Sequence, residues 1–205
     1  MKQDTLVPFR YSNVNLYMLL LGCRPPGRNT EQHDIFFGIG ENLRDLVPMI
    51  KKFWPETKGN IHIDAWRQVN FVEGYDIAVT KANDSTVTVE KSPELFFINL
   101  GGYKVGEFDE FHYKLIIVAN DLEEAKTKAK KTAFFKHHSV EKSDYYPNAT
   151  AHIDDKFGID IDDAYRLEDI LPAVYKEKFA LQITPAQRSS ENDPLHLGYF
   201  RLVDL

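Results

Sequence analysis

Four residues in the first half of the chain have types and spacings suited to chemistry. Glu31 and His33 are two apart, and so are His62 and Asp64; in extended segments each pair projects to one face of its strand. Two imidazoles with two carboxylates form a mixed nitrogen and oxygen donor set suited to zinc, manganese or iron. The same groups could serve a metal-free site that binds a small ligand or transfers a proton, with carboxylates orienting the histidines. A third reading is structural, with Glu31 and Asp64 holding the imidazoles at strand ends in a satisfied hydrogen-bond network. Spacing alone leaves all three open.

The surroundings add an anion to the candidate ligands. Arg24, Arg28 and Arg67 lie near the doublets in sequence, and their guanidinium forks suit carboxylate or phosphate groups. Trp66 continues the two-residue period of His62 and Asp64, which would make it an apolar wall for a ligand. Gly22 and Gly27 bracket a G-x4-G loop, but Arg28-Asn29 follows in place of the Lys-Ser/Thr of a phosphate-binding loop. Cys23 has Gly102 as its counterpart in the repeat described next, which argues against a shared nucleophile.

The doublets recur. With an offset of 79, Leu16, Leu21, Gly22, Gly27, Glu31, His33, Leu43, Lys51 and Lys52 fall on identical residues, nine identities in 37 ungapped positions, where chance gives about two. Glu31 and His33 thus match Glu110 and His112. A further gap of eleven residues aligns Ile61-His62-Ile63-Asp64 with Ala151-His152-Ile153-Asp154, and Tyr75 with Tyr165. Glu110, His112, His152 and Asp154 therefore form a second candidate metal set. Residues 14–80 carry 7 Lys and Arg against 8 Asp and Glu, whereas residues 93–172 carry 10 against 16, with Glu107, Asp109 and Asp155 near the second doublets. On charge, the anion site belongs to module one, and module two is either degenerate or metal-binding.

The elements that must position these residues follow from periodicity. LYMLLLGC (16–23) has the look of an export signal ending in a lipoprotein cleavage site, but its repeat LFFINLG (95–101) lies mid-chain, so it reads as a buried strand. HDIFFGIG (33–40) reads as a second strand. A helix follows, with Asn42 as N-cap, Leu43, Leu46, Val47, Ile50 and Trp54 as its stripe, and Pro48 expected to kink it. Asp121 with Glu124 starts the matching helix with a capping box, and Leu122, Ala125, Ala129 and Ala133 form its stripe. Residues 60–72 and 75–81 read as strands around a Glu73-Gly74 hairpin turn. Residues 85–91 alternate like an edge strand, residues 170–179 suggest a short helix, and residues 195–203 form a last strand that closes a sheet or pairs with another subunit.

The fold expected is α+β, a tandem pseudo-two-fold repeat of two β-β-α-β-β modules. Residues 1–13 form an N-terminal lead, 14–92 module one, 93–172 module two, and 173–205 a C-terminal extension with the final strand. A formal charge of -6 over 205 residues argues against nucleic acid or an acidic membrane surface as partner. No apolar run approaches a membrane span, and a single cysteine fits a cytoplasmic protein. A homo-oligomer is compatible with the exposed final strand.

With L-G-C-R-P-P-G-R-N-T-E-Q-H-D-I-F-F-G, F-W-P and I-H-I-D-A-W-R in view, the chain resembles the bacterial family described as domain of unknown function 1543, and within it a two-copy member. The resemblance is strong over residues 16–80 and looser in module two, where Tyr103, Lys104 and Val105 replace Arg24, Pro25 and Pro26. It implies bacterial origin and carries over no catalytic residues. Two classes of function are therefore expected. One is a small-ligand (anion) or divalent-metal-binding protein with its His/carboxylate site in module one; the other is a non-catalytic structural or protein-interaction module.

Overall fold

A computed structural model describes residues 13–82, 92–103, 108–132, 159–187 and 192–205. The chain divides into two compact units, one built from Met1–Val89 and Leu171–Leu205, the other from Glu90–Ile170. The architecture is mixed α+β, mostly strands with few helices. Among the described residues no helix is long and apolar enough to cross a membrane.

In the first unit the signal-like segment is an interior strand. β1 (Asn15–Cys23) lies between β2 (Gln32–Gly40) and β3 (His62–Gln68), and β10 (His196–Arg201) pairs with the outer edge of β3, all antiparallel. Tyr17, Leu19 and Leu21 alternate onto one face of β1 and are fully buried, together with Phe36 of β2 and Ile63 of β3. Leu46 and Ile50 are buried too, and Phe53 of the helix packs its ring edge-on to Phe36 at 5.4 Å. That face is the core, and the opposite face carries Gly22.

The first helix is shorter than its apolar stripe implies. Residues Leu43–Leu46 form a 3-10 turn and α1 spans Val47–Phe53, so Pro48 falls in the first turn of α1. There its missing N–H costs no helical bond, and the kink expected from it does not arise. The start is closed by Asp45, whose carboxylate accepts the N–H groups of Glu41 at 2.9 Å and Asn42 at 3.1 Å.

The strand expected over 60–72 is broken. β3 ends at Gln68, and β4 (Phe71–Val72) joins β5 (Tyr75–Lys81) and β9 (Phe179–Pro185) in a second sheet of order β4-β5-β9. At the break Asp193 accepts the N–H groups of Asn70 at 2.8 Å and Phe71 at 3.0 Å. Val72 pairs with Tyr75 across a turn with Glu73 at φ 49° and Gly74 at φ 86°, the double positive φ of a type I′ hairpin. Residues 173–205 are thus no appendage, because β9 completes one sheet of this unit and β10 the other. The helix read at 170–179 reduces to Ala173–Lys176 before β9 begins.

In the second unit β6 (Glu94–Tyr103) lies between β7 (Glu110–Ala119) and β8 (Ile159–Arg166). α2 (Leu122–Ala129) begins as expected, with Asp121 accepting the Glu124 N–H at 2.9 Å and Glu124 accepting that of Asn120 at 2.9 Å. Phe96, Ile98 and Leu100 form the core with Ile117, Ala119, Ala125 and Ala129. The expected edge strand at 85–91, and Ala133, lie outside the described residues. Tyr165 belongs to β8, which occupies the place of β3, so its expected match to Tyr75 of β5 fails. No fourth strand of this unit falls among the described residues.

Candidate functional site

Three strands meet at Gly22. In β1 it opposes His33 of β2 on one side and His62 of β3 on the other, and directly opposed residues of antiparallel strands point to the same face. Glu31 reaches the same place from two residues before His33. The pairing of β1 with β3 shifts between Leu20 and Leu21, which leaves Asp64 as the extra residue of a β-bulge. The bulge turns Asp64 over Gly22, where an added Cβ would run into Asp64 Oδ2 and His62 Nε2. Glycine at this position is what leaves room for the cluster.

The four side chains form a ring of alternating base and acid. His62 Nε2 lies 3.0 Å from Glu31 Oε1 and 3.1 Å from Asp64 Oδ1, and His33 Nε2 lies 3.2 Å from Asp64 Oδ2 and 3.8 Å from Glu31 Oε2. Each imidazole nitrogen therefore faces two carboxylate oxygens, yet can direct at most one hydrogen at them. Asp64 Oδ2 is buried and, among the described residues, has no aligned hydrogen-bond partner. The His62 side chain is 9% exposed and those of Glu31 and His33 are 45% and 44% exposed. The ring thus has a buried floor and an open mouth. With neutral imidazoles it carries two negative charges, which a divalent cation would cancel.

The arginines divide. Pro25 to Arg28 form a turn closed by the Arg28 N–H to the Pro25 carbonyl at 3.2 Å, with Gly27 at φ +81°, a conformation L residues rarely adopt. Arg24 and Arg28 on this loop are exposed, and among the described residues their side chains have no ion-pair partner. Arg24 directly follows β1, past the strand's last pair with β2, Cys23 with Gln32, which borders Glu31. Arg67 is elsewhere. It opposes Met18, four residues along β1 from Gly22 and so about 13 Å away, with Nη2 3.9 Å from the Met18 sulfur. Burial pulls its pKa down, partly offset by the charge of Asp193.

Trp66 is likewise not part of the cluster. Beyond the bulge it pairs with Leu19, on the core side of the sheet, and it stacks on His196 at 3.9 Å. The two-residue period that assigned it to the face of His62 is reset by the extra residue. Cys23 is buried, and burial first and the charge of Glu31 second push its thiol pKa up. That keeps it protonated, a poor nucleophile or ligand.

One wall of the site gave no signal in the sequence reading. Arg201 of β10 opposes His62, and two residues earlier the Tyr199 ring lies 4.3 Å from the His62 ring, tilted by 32°. Tyr199 is 67% exposed. It has no counterpart in the 79-residue repeat and lies far from the doublets in the chain; only the alternation of LHLGYFR marks it as a strand residue.

The second unit has a related cluster with different members. His112 Nε2 lies 3.2 Å from Asp162 Oδ2 and 3.9 Å from Glu110 Oε2. Gly101 opposes His112 of β7 and Asp160 of β8, and the β6–β8 pairing shifts between Asn99 and Leu100, so Asp162 occupies the bulge. A Cβ on Gly101 would run into the Asp162 carboxylate. His152, Asp154, Glu107 and Asp155 lie outside the described residues. Asp160 and Asp162 stand in register to Gly101 across the β6–β8 pair as His62 and Asp64 stand to Gly22 across the β1–β3 pair.

Residues 28–79 match the sequence model of a family described as Domain of Unknown Function (DUF1543). The resemblance takes in Arg28, Glu31, His33, His62 and Asp64. No curated protein matches the chain. Among solved structures, one titled as the crystal structure of a protein Il1583 from Idiomarina loihiensis is similar, with a TM-score of 0.57 and 22% identity over 92% of this chain and 97% of that one. At that identity the likeness is one of fold.

Proposed function

We propose that the first unit binds a divalent metal ion through Glu31, His33, His62 and Asp64, and an anion beside it through Arg24 and Arg28. The observation that supports this reading is the ring over Gly22: two Nε2 atoms each face two carboxylate oxygens with too few hydrogens to join them all, and a buried Asp64 oxygen has no aligned donor. A cation that draws the four side chains closer together would use those lone pairs. Two nitrogens with carboxylate oxygens suit zinc, manganese or iron better than calcium or magnesium. Such an ion supplies a Lewis acid, and Tyr199 and the arginine loop would bound the space in front of it.

The same reading treats the two units as tandem copies of one β-β-α-β plan. Its support is the single offset of 79 that carries β1 onto β6 and β2 onto β7, with a glycine opposite histidine and a bulged aspartate in both.

Metal content of the full chain, purified without a histidine tag and measured by plasma mass spectrometry, tests the site. The expected result is bound transition metal, of which His62→Ala loses about one ion per chain. No metal, or a metal content unchanged in His62→Ala, would move the four residues to the structural reading. For the anion, isothermal titration of the metal-loaded chain with phosphate or malonate should show binding that Arg24→Ala weakens by roughly 10–100-fold, since hydrogen bonds to charged groups contribute about 1.5–3 kcal/mol. Equal heats in both proteins would remove Arg24 from the site.

A further inference from the structure

We infer that the second unit carries its own cation site, one that prefers a harder, oxygen-seeking divalent ion such as manganese. One ligand atom each from Glu110, His112 and Asp162 lies within 4.8 Å of the others, close enough for a single ion to reach all three. The site is built in the same way as the first. Gly101 has no side chain where the Asp162 carboxylate lies, and a bulge in β8 delivers that carboxylate.

The composition differs in one consistent direction. Asp160 stands at the strand position of His62, so the second unit has no imidazole at that position. Asn99 stands where the first unit has Leu20, on the face that carries Gly101. Its Nδ2 donates to Asp163 at 3.2 Å, while its Oδ1 is buried with no hydrogen-bond partner among the described residues. A buried, unused amide oxygen on that face is a ligand type that hard cations accept and thiophilic ones do not select. One imidazole among oxygens, in place of two, lowers the advantage of zinc over manganese relative to the first unit.

The test counts bound manganese by the loss of the free-ion electron paramagnetic resonance signal in the full chain. With His62→Ala silencing the first unit, about one Mn2+ per chain should remain bound, and adding Asp162→Asn should release it. Asp162→Asn alone, a near-isosteric change, should lower the wild-type count by the same one ion. If His62→Ala binds no Mn2+, or if Asp162→Asn leaves the count unchanged, the second site does not exist. The two readings fail separately: binding lost only in His62→Ala leaves the first site standing alone, and binding lost only in Asp162→Asn leaves the second.

Discussion

Gly22→Ala is expected to abolish metal binding although it leaves every candidate ligand in the chain. The added methyl group would occupy space held by Asp64 Oδ2 and His62 Nε2. Neither neighbour has an easy way to yield. His62 is almost fully buried, with the Tyr199 ring against it, and Asp64 is held at a bulge between two paired strands. Overpacking of this kind costs roughly 1–3 kcal/mol of stability. The larger effect falls on affinity. Loss of groups that only orient a ligand weakens binding about 10–100-fold, so displacing a ligand itself should weaken Zn2+ binding by at least about 100-fold. Titration calorimetry with Zn2+ measures this directly, and wild-type affinity in Gly22→Ala would mean that the ligands do not converge over this residue.

Zinc should also raise the melting temperature of the first unit's transition, and His62→Ala should remove the effect. An ion that binds only the folded chain at a hundred times its dissociation constant adds about 2.7 kcal/mol. For a chain of this size that corresponds to a rise of about 5–10 °C. The sign follows from geometry, since Glu31 and His33 are two residues apart but about thirty from His62 and Asp64, and only folding brings the two doublets together. A chelator should reverse the shift. If Zn2+ left the wild-type melting temperature unchanged, or shifted His62→Ala equally, the ion would not be bound by these side chains.

Much of the site was legible because it depends on local patterns. The apolar runs that became β1 and β6 bury their side chains at two-residue spacing, and Glu31 and His33 share a face for the same reason. The 79-residue offset pointed from the first doublet to Glu110 and His112, and His112 of β7 opposes Gly101 of β6 as His33 of β2 opposes Gly22 of β1. What failed depends on hydrogen-bond register, which residue types do not encode. A β-bulge adds one residue without any compositional mark, yet it turns Asp64 toward Gly22 and sends Trp66 to the opposite face. Letter identity pointed to AHID at 151–154, which lies outside the described residues, while D-I-D at 160–162 pairs with β6 in the register that H-I-D at 62–64 takes with β1. Arg67 lay near His62 in sequence but several residues away along the strand. The return of residues 171–205 to the first unit, which brings Tyr199 to His62, is a pairing across more than a hundred residues that no local window contains.

The measurement closest to the central claim is anomalous diffraction from crystals of the tag-free chain soaked in Zn2+. The expected map has a peak within about 2.0–2.2 Å of His33 Nε2, His62 Nε2 and at least one oxygen each of Glu31 and Asp64. A map with no peak among these four side chains, and both imidazoles hydrogen-bonded to the carboxylates in its absence, would contradict it.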